Sequence, residues 1–227
     1  MTVFYLSKEP IFPHPRFSDP DGLLAVGGDL SIERLILAYS QGIFPWYSPG
    51  NPILWWSPDP RLVLFPEELH VPRSLRRVLN KKRFKVTIDQ AFEQVINMCA
   101  KVRRSDGYGT WLVPEMIEAY IRLHKQGLAH SFETWQEDRL VGGVYGVSLG
   151  QAFFGESMFY LVPNASKVAL VHLVFYLRKK SFHFLDCQQT THHMLRFGAR
   201  EISRNEFLQR LKHALQYPTR RGKWGDA

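Results

Sequence analysis

Pro13, Pro15, Pro20, Pro45, Pro49, Pro52, Pro58 and Pro60 crowd the stretch from Ile11 to Pro60, with Trp46, Trp55 and Trp56 among the later ones. Each proline fixes φ and removes a backbone donor, so this stretch cannot carry long regular elements. It is expected to fold as a small loop-rich domain over residues 1–60. A single helix from about Ile32 to Ser40 interrupts it, capped by Asp29 or Ser31, ended by Gly42, and turning Leu35, Ile36 and Tyr39 inward.

Beyond Pro60 the pattern changes. Short runs rich in apolar and β-branched residues alternate with helical periodicity, predicting strands at Leu62–Phe65, Phe84–Ile88, His130–Trp135, Leu140–Val147, Gln151–Met158 and Phe182–Gln188. Helices are expected over Arg73–Leu79, from an Asp89 cap to Cys99, from Pro114 to His124, after an Asn164 cap, over Thr191–Phe197 and over Asn205–Leu215. This order predicts an α/β fold, a mixed sheet with helices packed on it, in a larger domain over residues 61–227. With 45% hydrophobic and 22% charged residues, the 227-residue chain can bury a sizeable core. The most apolar run, Val168 to Leu177, is about half the length that a bilayer crossing requires, so it reads as a core helix. No export signal is visible at Met1–Pro13, and Cys99 and Cys187 are too few for a disulfide framework; a cytoplasmic setting is expected.

Charge narrows the partners. Twenty-nine Lys and Arg against 21 Asp and Glu give a net charge of +8, which draws polyanions before any specific contact forms. The basic residues cluster: Arg73, Arg76 and Arg77 share one helix face, followed by Lys81, Lys82 and Arg83, a stripe suited to a phosphate backbone or else a solvated face. Trp46 lies in a proline-bounded loop, where an exposed ring could stack on a nucleobase.

Strand ends supply the candidate chemistry. Alternation along Phe182–Gln188 predicts Asp186 and Gln188 on one face and Cys187 on the other, which makes Cys187 a buried bystander rather than a nucleophile. Alternation likewise predicts Glu156 and Met158 on one face of their strand, with Phe153 on the other. Glu156, set between Phe154 and Met158, is either half of a cross-sheet ion pair or a carboxylate awaiting a cation. Gly142, Gly143 and Gly146 sit within a strand and do not make a dinucleotide loop, and His192–His193 lack ligand spacing, so neither a cofactor nor a metal is expected.

The stretch GGDLSIERLILAYSQGIFPWYSPGNPILWWSPDPR (Gly27 to Arg61), GTWL at Gly109, VGGVYGV at Val141, FFGESMF at Phe153, NASK at Asn164 and LDCQ at Leu185 together resemble the bacterial leucyl/phenylalanyl-tRNA–protein transferase family. The resemblance spans nearly the entire chain. It implies a small N-terminal domain joined to a C-terminal domain like the GNAT N-acyltransferases. It implies Leu-tRNA and Phe-tRNA as donors, with methionine a third candidate amino acid. The implied acceptors are proteins beginning with Arg or Lys, marked by the modification for N-end-rule degradation, and the enzyme is expected to be a monomer without a membrane partner. It further implies that Trp46 and Trp111 hold the terminal adenosine and that Val144, Phe153, Met158 and Leu173 belong to the aminoacyl-adenosine site. Glu156, Asp186 and Gln188 then surround the ester and incoming amine as catalytic residues. The basic residues read above from their charge and spacing, Arg73, Arg76, Arg77, Lys81, Lys82 and Arg83, are expected to meet the tRNA backbone. Val144 and Leu173 stand where methionine and phenylalanine occur in relatives, which bears on side-chain preference. An acyl-CoA-dependent N-acyltransferase is the competing enzyme reading, disfavoured because VPNASK has no glycine for a pyrophosphate turn. A non-catalytic RNA-binding module is the third.

Overall fold

The computed structural model describes residues 3–101 and 112–225. In the proline-rich segment the strands are short: β1 (Phe4–Leu6), β2 (Leu23–Gly27), β3 (Phe44–Pro45) and β4 (Leu54–Trp56) form a sheet in the order β1-β2-β4-β3. Helix α1 (Ile32–Ser40) starts where the Ser31 hydroxyl accepts the Arg34 N–H, so Ser31 rather than Asp29 is the cap. Leu35 and Tyr39 are fully buried on its inner face.

A second sheet of seven strands comprises β5 (Arg61–Leu64), β6 (Lys85–Ile88), β7 (Ala129–Gln136), β8 (Arg139–Leu149), β9 (Ala152–Tyr160), β10 (Phe184–Gln188) and β11 (Arg200–Ile202), in the order β11-β5-β10-β9-β8-β7-β6. Only β9 and β10 run parallel; the other neighbours are antiparallel. The mixed α/β architecture expected from the sequence is therefore present, with β11 an added edge strand that three residues could not announce.

The helices are α2 (Arg73–Asn80), α3 (Phe92–Lys101), α4 (Pro114–Lys125), α5 (Ala165–Lys179), α6 (His192–Leu195) and α7 (Arg204–Ala214). Buried residues of α1, α3, α4 and α7 form one apolar core with Tyr145, Val147, Phe154 and Phe159 of the large sheet. The interior of α5 forms another with Leu62, Phe132, Val144, Phe153 and Leu185. The sheet is thus covered on both faces, and α5 lies so close to β8 that a Cβ on Gly142 would come within 2.6 Å of Ala165. Two expected caps differ. Asn164 is left-handed (φ 75°) and makes no side-chain cap bond, while Asp89 instead accepts from the Ser131 and Trp224 backbone N–H groups and pairs with His130. No helix among the described residues is long and apolar enough to cross a membrane.

Candidate active site

The site is made by a split in the large sheet. Parallel pairing of β9 and β10 stops at Phe154–Asp186, although β9 runs on to Tyr160 and β10 to Gln188. Two bulges shape the diverging ends. In β9, Tyr145 pairs with Ser157 and Gly146 with Gly155, leaving Glu156 as the extra residue. In β10, Val63 pairs with Asp186 and Leu62 with Gln188, leaving Cys187 extra, and Gln188 takes φ 63°. A bulge inserts one residue and reverses the alternation beyond it. Glu156 consequently points toward Tyr39 and Tyr120 in the helical core below the sheet, whereas Met158, paired with Val144, joins the α5 side. The shared face expected for Glu156 and Met158 is overturned by that extra residue.

Between the split strands, α5, α6 and the loop at Trp46 lies a cavity of about 410 Å³. Val144, Met158, Leu170, Leu173 and Leu185 make an apolar part, and Glu156, Asp186 and Gln188 a polar wall. Partly exposed Trp46 stands at the cavity from the smaller sheet, its carbonyl held by the Trp56 indole N–H at 2.6 Å. Seven of the site residues expected from the sequence therefore meet in one place. Phe153 does not: it is fully buried and packs on Trp224 at 5.7 Å between ring centres, outside the cavity lining. Trp111 lies outside the described residues.

Asp186 is fully buried and receives a two-pronged ion pair from Arg61, Nε to Oδ1 at 2.9 Å and Nη2 to Oδ2 at 2.7 Å. The guanidinium sits over the rings of Phe44 and Phe207, 4.8 and 4.5 Å from their centres. Such planar bidentate pairing between apolar faces is the environment in which a buried charge is tolerated. Asp186 Oδ1 also accepts the Gln188 backbone N–H at 2.9 Å, which fixes the left-handed turn and sends the Gln188 side chain to Glu156, Nε2 to Oε1 at 3.0 Å. Among the described residues Glu156 has no cross-sheet ion pair; its partners there are Tyr39, Tyr120 and Gln188. Burial pushes its carboxyl up to about 7.

Cys187 does not face away from the polar wall as alternation predicts; it lines the same cavity. Burial, and then the Asp186 charge, push its thiol up, the opposite of an activated nucleophile. Arg61, Tyr39 and Tyr120 were not flagged as site residues by the sequence. Tyr39 was legible as inward-facing, but nothing local to Arg61 or Tyr120 pairs them with residues that are 125 and 36 positions away. The stripe is where expected: Arg73, Arg76 and Arg77 of α2 and Lys81, Lys82 and Arg83 after it are all exposed, and none is in an ion pair among the described residues.

Known proteins similar to this chain agree with one another. Residues 63–212 match the family model "Leucyl/phenylalanyl-tRNA protein transferase", and residues 28–59 match that of its N-terminal domain. A leucyl/phenylalanyl-tRNA–protein transferase of Anaeromyxobacter dehalogenans is 59% identical over 99% of this chain and 96% of its own. That of Maridesulfovibrio salexigens is 56% identical over 99% and 94%, and that of Syntrophobacter fumaroxidans 62% identical over 92% and 89%. Solved structures align loosely. An aminoglycoside acetyltransferase from a soil metagenome shares 16% identity at a TM-score of 0.38, covering 52% of this chain and 86% of that one. The GCN5-related N-acetyltransferase from Kribbella flavida shares 9% at 0.39, covering 74% and 60%.

Proposed function

The chain belongs to the leucyl/phenylalanyl-tRNA–protein transferase family, aminoacyltransferases that move an amino acid from tRNA to protein, and from that premise we propose how its cavity is used. The aminoacyl ester of Leu-tRNA or Phe-tRNA enters with its side chain among Val144, Met158 and Leu173 and its terminal adenosine against Trp46. The carrying observation is that this apolar cavity ends on the Glu156–Gln188–Asp186 wall, a polar trio wired together by hydrogen bonds. An aminoacyl ester is already activated, so the acceptor's α-amine can attack it without an enzyme nucleophile. The protein supplies positioning and charge stabilisation. Arg61 clamps Asp186, Asp186 sets the Gln188 backbone, and Gln188 orients the ester region beside Glu156.

The acceptors in this reading are proteins beginning with Arg or Lys, modified in the cytoplasm by a monomeric enzyme and thereby marked for N-end-rule degradation. The exposed α2 stripe takes the tRNA backbone. The chain divides at Pro60 into a unit carrying Trp46 and a unit carrying the polar wall; the two family models meeting between residues 59 and 63 support this division. The test is to incubate the protein with Leu-, Phe- and Met-tRNA, separately charged, and peptides beginning with Arg, Lys, Asp or Glu. Transfer of Leu and Phe to the Arg and Lys peptides is expected, lost in Glu156→Ala and Gln188→Ala. Transfer to the acidic peptides instead, or unchanged rates in both variants, would sink the assignment.

A further inference from the structure

Glu156 is 8% exposed and borders the cavity, but its carboxyl is turned toward two phenols that do not. Tyr39 Oη lies 2.7 Å from Glu156 Oε1, Tyr120 Oη lies 2.8 Å from Oε2, and the two phenol oxygens are 2.7 Å from each other. Gln188 Nε2 adds a fourth contact, to Oε1. Three oxygen–oxygen separations of hydrogen-bond length close a ring, and each requires a hydrogen of its own. Each phenol brings one. With Glu156 ionised, two hydrogens must serve three contacts, and one pair of buried oxygens is left facing each other through lone pairs alone. A neutral carboxyl supplies the missing hydrogen and satisfies every member.

The geometry points to Glu156 resting as a neutral acid that closes a three-hydrogen ring with the positioning residues Tyr39 and Tyr120, and serving in the transfer as proton donor to the departing ribose oxygen. The donor role rests on the placement of the aminoacyl ester proposed above; the protonation state does not. In the step, the amine nitrogen bonds to the ester carbonyl carbon, and the bond from that carbon to the ribose oxygen breaks, its electron pair leaving on oxygen. The Glu156 proton passes to that oxygen, and the proton shed by the nitrogen returns to Glu156. The products are an amide and a free ribose hydroxyl, with the ring restored. Burial and the Asp186 carboxylate of β10 favour the neutral form; of the other groups around the ring, Tyr145 of β8 adjoins Tyr120, Cys187 also lies on β10, and Arg61 of β5 is paired with Asp186. A neutral Glu156 exerts no pull on a cationic N-terminus, so recognition of Arg or Lys falls to other groups.

Infrared difference spectra of the full-length protein, carboxyl-labelled at glutamate with ¹³C and referenced to Glu156→Gln, read the ring directly. A protonated-carboxyl band belonging to Glu156 is expected below about pH 7 and should vanish above it. Tyr39→Phe and Tyr120→Phe should shift that band, and Glu156→Gln should lower kcat by about 100-fold or more, the lower end of general acid–base catalysis, with KM for charged tRNA unchanged. A Glu156 that shows only a carboxylate band at every pH overturns the ring, whatever the variants do. Wild-type kcat in a folded Glu156→Gln overturns the donor role. Failure of the wild type to transfer any amino acid would remove the donor role together with the functional reading, while the band would still decide the ring.

Discussion

Two buried carboxylates 30 positions apart end up in opposite circumstances, and what each touches decides which. Asp186 meets a guanidinium held between two rings, whereas the partners of Glu156 among the described residues are two phenols and a carboxamide. Burial, aided by the Asp186 charge and opposed by the hydrogen bonds from Tyr39, Tyr120 and Gln188, raises Glu156 from 4.5 to about 7. Between those values the folded protein keeps a proton that the unfolded chain has released, so its stability falls as pH rises from about 4.5 to about 7 and is level on either side. At 1.36 kcal/mol per unit, the loss attributable to this group is about 3 kcal/mol at most. Glu156→Gln cannot ionise and should escape it. Denaturant melts across that window should show the variant gaining on the wild type as pH rises; parallel curves would mean that Glu156 is ionised throughout.

At the scale of elements, strand alternation sends Phe153 and Phe154 to opposite cores and then fails where the chemistry is. The failure has one cause in both strands, an extra residue in the ladder: Glu156 in β9 and Cys187 in β10. Gly146 and Gly155 face each other next to the first bulge, and a Cβ on Gly146 would lie 2.2 Å from the Phe154 carbonyl, so a strand glycine here marks close backbone approach. Helix α2 makes the opposite case, because its arginines are exposed as their spacing implies. Replacing Arg73, Arg76 and Arg77 with Ala should weaken tRNA binding and flatten the dependence of log Kd on log salt by roughly 2 to 3, close to one per phosphate contact removed. An unaltered slope in a binding titration would place the tRNA backbone elsewhere.

Across the whole molecule the last described residues close the structure. Trp224 is 1% exposed, stacks on His130 and Tyr176 at 3.8 and 4.8 Å between ring centres, and donates its backbone N–H to Asp89. The tail thereby ties α5 to β7 and to Asp89, the residue after β6. Trp224→Ala should cost about 3 to 5 kcal/mol, the usual range for removing a buried tryptophan, measured as a fall in denaturation midpoint; a loss under about 1 kcal/mol would show that the tail packs without contributing. By itself, the sequence determined the alternation of strands and helices, the apolar α5, the basic α2 and the brevity of every element before Pro60, because periodicity, capping and proline geometry act over a few residues. It also named Glu156, Asp186 and Gln188, polar groups out of place in apolar strands. Only the tertiary structure decided their partners and directions. Arg61 reaches Asp186, and Tyr39 and Tyr120 reach Glu156, across separations of 36 to 125 residues. A bulge exists only relative to the strand it faces, so no local pattern can fix which way its side chain turns.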